Sequence, residues 1–261
     1  MTAIDDTFRQ CRDENRLAFM PFLTAGDPDL AATAAAIATL DDAGADLLEV
    51  GFPYSDPIAD GPTIQASYTR ALGAGIRVGG IFDCLAAAKV TAPRVAMVSY
   101  AIIFRQGVDA FCERAKASGV SGLIVPDLPG TDAADVSKAV ADHGLSLVQL
   151  VAPTTPRKRA ARIVQTCSGF VYCVAVAGIT GERAKLSEDL LTQLAWLREE
   201  TDLPLAVGFG ISQPEHVDPL KDAADGVIVG SGIVRRLEGG GDAALADVAE
   251  FTRTMAAACR R

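Results

Sequence analysis

Short apolar runs alternate with segments of helical spacing along the chain. Each run is followed by a stretch in which apolar residues recur every three or four positions, as at Leu30, Ala34 and Ile37 after the first run. Strands that alternate with helices indicate a parallel sheet with right-handed crossovers. The eight runs predicted to be strands are LAFMPFLTAG, ADLLEVGF, RVAMVSY, LIVPD, LSLVQLVAP, FVYCVAVAG, PLAVGFG and GVIVGSG.

Eight such units in 261 residues favour a closed (β/α)8 barrel, an α/β TIM barrel, preceded by an extra polar helix from about Ala3 to Asn15. A doubly wound open sheet is the alternative, but no GxGxxG follows the first run. The glycine run at 239–241 is too short to be a domain boundary, so residues 1–261 are expected to form a single barrel domain.

Several helix ends are predicted from capping chemistry. Asp27-Pro28 and Thr155-Pro156 each place a capping side chain before a proline, and Ser212 with Glu215 has the spacing of a capping box. The last helix is expected near Ala243 to Ala258.

Charge and hydropathy exclude two classes of partner. The net charge is −9 and both signs are mixed along the chain, which argues against a nucleic-acid surface. The one compact basic cluster, Arg157 to Arg159, is interpreted as a solvated helix face. No apolar run reaches the roughly 18 residues of a membrane helix. The N-terminal MTAIDDTFRQCRDENR lacks a signal core, so a cytoplasmic protein is expected.

Cysteine and histidine offer little chemistry. The six cysteines include no CxxC pair and are predicted to be small buried hydrophobes, and His143 and His216 lie far apart without a metal motif. Carboxylates are therefore the candidates for catalysis.

Glu49 interrupts the second apolar run. An ionised carboxylate in a buried strand is costly unless it is paired, and otherwise its pKa rises. The loop that follows carries Asp56 and Asp60. Carboxylates in different environments of one pocket divide acid and base roles. The alternative interpretation is that Glu49 pairs with a buried arginine or lysine.

Glycine loops provide a second signal. Barrels bind phosphate with the loops after the seventh and eighth strands, which here are 208–210 and 230–232, and a third glycine loop at 178–181 follows the sixth strand. Phe22 and Tyr172 are either core residues or pocket walls. These features predict proton transfer on a small phosphorylated substrate, without a metal or nucleotide cofactor.

These motifs resemble the tryptophan synthase alpha subunit family over nearly the whole chain. The strongest match is LEVGFPYSDPIADGPTIQ, from Leu48 to Gln65. Further matches are MPFLTAGDP at 20–28, VPDLP at 125–129, AGITG at 177–181, VGFGIS at 207–212 and VGSGIV at 229–234.

The resemblance implies retro-aldol cleavage of indole-3-glycerol phosphate to indole and glyceraldehyde 3-phosphate. It also implies an αββα heterotetramer in which indole passes to a beta subunit that carries pyridoxal phosphate, with no cofactor in this chain. Glu49 is then the expected general acid–base, able to hold a proton near neutral pH. Asp60, on a wetter loop, is expected to stay ionised and accept the indole N–H.

Other roles are carried over by position. The expected substrate-binding residues are Phe22, Ile64, Tyr172, Thr180 and Phe209, with Thr180 helping to position Asp60. The expected phosphate-binding residues are Gly181, Gly210, Gly230 and Ser231.

Two positions depart from the family pattern. Ala175-Val176 stands where the family often has Ser-Arg, and Ile102 stands where it usually has Asn. Both lie near segments expected to close over substrate or to contact the beta subunit. A stand-alone lyase that releases free indole is therefore an alternative, as are a non-catalytic regulatory subunit and a different phosphosugar barrel enzyme such as an isomerase.

Overall fold

A computed structural model describes residues 2–57, 60–175, 188–208 and 210–261. Its nine strands are all parallel and follow the order β5-β4-β3-β2-β1-β9-β8-β7-β6. They are β1 Ala18–Thr24, β2 Leu48–Gly51, β3 Arg94–Met97, β4 Val120–Ile124, β5 Ser146–Val148, β6 Leu150–Val151, β7 Val171–Val174, β8 Leu205–Gly208 and β9 Gly226–Val229.

The two edge strands are neighbours in the chain. Only Gln149 separates β5 from β6, so the sheet is a nearly closed barrel and the fifth predicted run is one interrupted strand. The first and last strands pair directly, with Ala18 opposite Gly226. The predicted TIM barrel with an added N-terminal helix is confirmed.

Helices surround this sheet. They are α1 Ala3–Asp13, α2 Leu30–Asp42, α3 Pro62–Gly73, α4 Val78–Ala87, α5 Tyr100–Gln106, α6 Val108–Ala117, α7 Ala133–Asp142, α8 Arg157–Gln165, α9 Glu188–Glu200, α10 Ser231–Leu237 and α11 Gly241–Ala258. The short helices α5 and α10 were not predicted, because each fills what the sequence pattern presents as a connecting loop.

The predicted cap of α2 was wrong by two residues. Asp29 is the N-cap and its carboxylate accepts the Ala32 N–H at 2.7 Å. Asp27 instead accepts two hydrogen bonds from the Arg70 guanidinium, at 2.9 and 2.7 Å. The local sequence predicts that Asp27 caps α2, but its carboxylate instead forms a long-range ion pair with Arg70.

Two other predicted caps were wrong. Residues 214–216 and 218–220 form 3-10 turns, and the Ser212 N–H donates to Nδ1 of His216 at 3.3 Å, so no capping box forms there. The residue at the N-cap of α8 is Pro156, and the hydroxyl of Thr155 accepts the Ala152 N–H at 3.1 Å. The final helix α11 begins at Gly241, ahead of its predicted start.

Strand residues alternate between two cores. In β2, Leu48 and Val50 pack outward against the helices, while Glu49 lies between them in sequence and faces the barrel interior. The same alternation in the other strands builds an interior cluster. Its members include Met20, Phe22, Val95, Met97, Ile124, Val148, Tyr172, Ala206 and Ile228.

Helix α1 closes the N-terminal end of the barrel. Ile4 is fully buried and packs against two glycines: a Cβ on Gly122 would lie 2.8 Å from its Cδ1, and one on Gly169 would lie 3.2 Å from its Cγ2. The Phe8 ring packs on Phe170 with centroids 5.5 Å apart. The barrel interior is thereby filled by apolar side chains at this end.

Surface features follow the composition. The side chains of Arg157, Lys158 and Arg159 are exposed on α8, as predicted. All six cysteines are free; Cys11, Cys112, Cys173 and Cys259 are buried, while Cys84 and Cys167 are half-buried. Among the described helices, none has the length and apolarity to cross a membrane.

The α1 contact gives a stability prediction. Ile4→Ala removes a fully buried side chain that packs against Gly122 and Gly169. The variant is expected to lower the free energy of unfolding by ~2–5 kcal/mol. Urea unfolding followed by circular dichroism measures it. The control is Leu72→Ala, at a side chain that is 38% exposed, with an expected cost below ~1 kcal/mol. Equal costs for the two variants would contradict the packing role of Ile4.

Candidate active site

A cavity of ≈ 160 Å³, partly open to solvent, lies at the C-terminal ends of the strands. Active sites of (β/α)8 barrels occupy this end. The structure brings eight of the predicted site residues to its wall. They are Phe22, Glu49, Asp60, Ile64, Tyr172, Gly210, Gly230 and Ser231.

Two strand-end glycines make room for the aromatic walls. Phe22 and Glu49 are direct neighbours in the β1–β2 register. A Cβ on Gly51 would lie 2.5 Å from the Phe22 ring and 2.7 Å from the Tyr68 hydroxyl, and a Cβ on Gly208 would collide with Tyr172. Because both positions lack a side chain, the two rings can lie over the backbone and line the cavity.

Glu49 is an unpaired buried carboxyl. Its side chain is only 1% exposed, and Oε2 has no hydrogen-bond partner within the described part of the chain. Burial, helped by the nearby charge of Asp60, raises the pKa of Glu49 from 4.5 to about 8. No salt bridge joins an arginine or lysine of the described residues to Glu49, so this part of the chain offers no support for the alternative interpretation as a structural ion pair. Glu49 therefore carries a proton at neutral pH.

Asp60 is buried rather than wet. Its side chain is 8% exposed, and burial raises its pKa to about 6, while a hydrogen bond from the Tyr54 hydroxyl acts in the opposite direction. Asp60 is more exposed than Glu49, 8% against 1%, so the expected wetter environment holds only relative to Glu49. Asp60 still ionises below Glu49, so the two groups hold different protonation states near pH 7.

Side chains of α3 contact the loop residues on either side of the turn that carries Asp60. The Gln65 amide donates to the Asp60 carbonyl oxygen at 2.7 Å. Tyr54 packs on Tyr68 with ring centroids 5.5 Å apart. Asp56, by contrast, is exposed and accepts a hydrogen bond from the Ser55 hydroxyl, so it does not share the cavity with Glu49.

Three predicted site residues, Thr180, Gly181 and Phe209, lie outside the described residues, as does Val176 of the first departure from the family pattern. The other departure, Ile102, is half-buried on α5.

Sequence reasoning missed part of the cavity wall. Met97 and Ile228 line it from β3 and β9, and their signal is the period-two alternation that places them on the interior face. Arg235 also lines it, four residues after Ser231 and so on the same face of α10. The remaining missed residues are Gly61, Ile211 and Ser212.

The arrangement suits general acid–base chemistry. A protonated Glu49 and an ionised Asp60 face one apolar cavity, whose other side is formed by glycine backbone and the Ser231 hydroxyl. No group of three or more metal-ligating side chains is found in the ranges that the structure describes. Fold and site together define a barrel protein equipped for proton transfer on a small substrate.

Comparison with known proteins narrows this class. The family model of the tryptophan synthase alpha chain matches residues 8–260. The alpha chain of Rhodopirellula baltica is 49% identical over 98% of this chain and 94% of its own length, and that of Trichormus variabilis is 45% identical over 100% and 99%.

Solved structures agree. A tryptophan synthase structure from M. tuberculosis, in its aminoacrylate-bound form, superposes with a TM-score of 0.90 at 34% identity and full coverage of both chains. A mutant alpha subunit from Pyrococcus furiosus gives 0.85 at 36% identity, covering 91% of this chain and 97% of that one. The chain belongs to the tryptophan synthase alpha chain family, and its role is that of a lyase in tryptophan biosynthesis.

The buried carboxyl predicts a pH-dependent stability. Since the pKa of Glu49 is raised from 4.5 to about 8 on folding, the folded state holds an extra proton between these values and stability falls as pH rises through them. Urea titrations at pH 5 and pH 8.5 should show a smaller loss for Glu49→Gln than for the wild type, the difference being ~1 kcal/mol or more. An unchanged pH dependence in the variant would show that Glu49 titrates normally.

Proposed function

We propose that the chain, acting as a single barrel domain over residues 1–261, catalyses retro-aldol cleavage of indole-3-glycerol phosphate to indole and glyceraldehyde 3-phosphate. The observation that carries this proposal is the pair Glu49 and Asp60 in one cavity, with pKa values raised to about 8 and about 6. The reaction needs a proton donor and a carboxylate at neutral pH, and this pair supplies both.

Glu49 acts first as the acid. It donates its proton to C3 of the indole, which becomes tetrahedral while positive charge develops at the ring nitrogen. The Asp60 carboxylate accepts the N–H and stabilises that charge. Glu49, now ionised, takes the proton of the hydroxyl on the carbon attached to C3. The C–C bond breaks, its electron pair restores the aromatic ring, and the hydroxyl carbon becomes the aldehyde.

The cavity supports this assignment of substrate. Phe22, Ile64 and Tyr172 offer an apolar wall for a flat ring beside the two carboxyls. Gly210, Gly230 and Ser231 offer backbone and a hydroxyl for the phosphate. A Cβ at Gly230 would make only ordinary van der Waals contacts, the nearest being with Cδ1 of Ile64 at 3.7 Å. Thr180, Gly181 and Phe209 stay predicted contributors.

Substitution of the carboxyls tests the mechanism. Glu49→Gln keeps the shape but cannot exchange a proton, and indole release from indole-3-glycerol phosphate is expected to fall at least ~10²-fold in kcat. Asp60→Asn should also lower kcat, because the amide cannot balance charge at nitrogen. The control is Asp83→Asn, whose carboxylate is 81% exposed on α4, with unchanged turnover expected. Wild-type turnover retained in Glu49→Gln would refute the mechanism and favour a non-catalytic subunit or another barrel reaction.

No cofactor is assigned to this chain. Under the proposal, pyridoxal phosphate belongs to a beta subunit that consumes the indole, and the assembly is an α2β2 heterotetramer. A cytoplasmic location stays a prediction.

An exposed aromatic surface supports the beta partner. Phe104 is 69% exposed on α5, which follows β3 at the same end of the barrel as the cavity. The helix is held firmly: Asp127 accepts the Ser99 hydroxyl at 2.6 Å and the Tyr100 N–H at 2.7 Å. Aromatic side chains on rigid elements are frequent interface anchors. We assign Phe104 to the contact with the beta subunit.

The partner proposal predicts a separable defect. Phe104→Ser should leave indole release by the isolated chain unchanged and reduce its stimulation by a beta subunit by ~5-fold or more, since loss of an anchor residue costs 1 kcal/mol or more. Activity assays with increasing beta subunit measure it. Leu191→Ala, at a side chain 36% exposed on α9, serves as control. Fast turnover by the wild type without any stimulation would favour the stand-alone lyase.

A further inference from the structure

We propose that Arg235 is the cation that binds the substrate's phosphate and sets the preference for phosphorylated over neutral substrates. This inference rests on the proposed function. It adds one residue to the phosphate region that Gly210, Gly230 and Ser231 line. Neither the sequence motifs nor the glycine loops point to this residue.

Arg235 borders the proposed phosphate region. It lines the cavity together with Ser212, Gly230 and Ser231. Its Nε donates to the Ser231 carbonyl oxygen at 3.2 Å, one turn earlier in α10. This bond holds the side chain along the helix toward Ser231, while its two terminal nitrogens remain available for a ligand.

The charge balance of the cavity calls for a cation. The other ionisable groups on its described wall are Glu49 and Asp60, and the whole chain has a net charge of −9. A phosphate monoester carries about −1.5 to −2 near neutral pH. Such a ligand would approach an ionised Asp60 within a negatively charged protein. Among the described residues that line the cavity, Arg235 is the one basic side chain.

Arg235 is also uncommitted. Within the part of the chain that the structure describes, no carboxylate forms a salt bridge with it. Its neighbour Arg236 differs: that guanidinium stacks 3.8 Å above the Phe251 ring, and its Nη1 donates to the Gly232 carbonyl oxygen at 2.8 Å. Of these two successive arginines, Arg236 is half-buried against Phe251, whereas Arg235 is exposed at the border of the cavity and has no carboxylate partner among the described residues.

Guanidinium suits this task. Its planar fork binds two phosphate oxygens at once, which an ammonium group cannot do. Arg235 acts on binding, because its Nε donates to the carbonyl oxygen of Ser231, one of the residues assigned to the phosphate, and the proton transfers are assigned to Glu49 and Asp60. Its loss should therefore raise KM and leave kcat nearly unchanged.

The test compares Arg235→Gln and Arg235→Lys with Arg253→Gln. The last removes the same charge from an exposed pair with Glu250 on α11 and controls for net charge. Arg235→Gln is expected to raise KM for indole-3-glycerol phosphate ~10-fold or more, with kcat within ~3-fold, and Arg235→Lys should recover part of the loss. The Kd of glycerol 3-phosphate, measured by calorimetry on the full chain, should rise in parallel, with a weaker salt dependence.

The two readouts separate this inference from the proposed function. KM and Kd in Arg235→Gln equal to those of Arg253→Gln would overturn the role of Arg235 while the lyase assignment stands. A fall in kcat alone would overturn it as well. If the wild type cleaves no indole-3-glycerol phosphate but binds glycerol 3-phosphate through Arg235, the cation site stands and the reaction is wrong. A wild type that binds no phosphate ligand would refute the inference.

Discussion

The structure depends on the cost of burying one carboxyl group. Glu49 lies inside the barrel with an oxygen that finds no hydrogen-bond partner among the described residues, and such a group is tolerated only in its neutral form. The apolar interior around it, which includes Phe22, Met97 and Tyr172, keeps it neutral. Packing thus keeps a proton on Glu49 near neutral pH, and every wall residue that excludes water also raises the pKa of this carboxyl.

The two ends of the barrel differ in their contribution to stability. At the N-terminal end, Ile4 and Phe8 of α1 seal the interior and make apolar contacts. At the other end, the cavity holds Oε2 of Glu49 and Oδ2 of Asp60, which have no hydrogen-bond partner among the described residues. Stability gained at the sealed end compensates for the unfavourable burial of carboxyls at the open one, in keeping with the separation of stability and activity in this fold.

What could be predicted from sequence was what depends on local pattern. Continuous apolar runs fixed the strands, and a lone Glu49 in such a run marked the acid. What failed depends on contacts distant in sequence: Asp27 pairs with Arg70, 43 positions away, and leaves the helix cap to Asp29. Asp60 is only 8% exposed and accepts a hydrogen bond from the Tyr54 hydroxyl, which no pattern in the loop reveals. The position of Arg235 at the cavity depends on α10, a helix in a segment that the sequence pattern presents as a loop.

The pairing of β1 with β9 has a consequence for how the chain is made. Ala18 and Gly226 are joined in register, so the sheet cannot close until Gly226 has left the ribosome, more than 200 residues after Ala18. Closing so long a loop carries an entropic cost that neighbouring strand pairs do not. Until then the inner face of β2 is open to water and Glu49 ionises like any surface glutamate. The raised pKa of Glu49 is therefore established only when β9 pairs with β1 and the barrel closes.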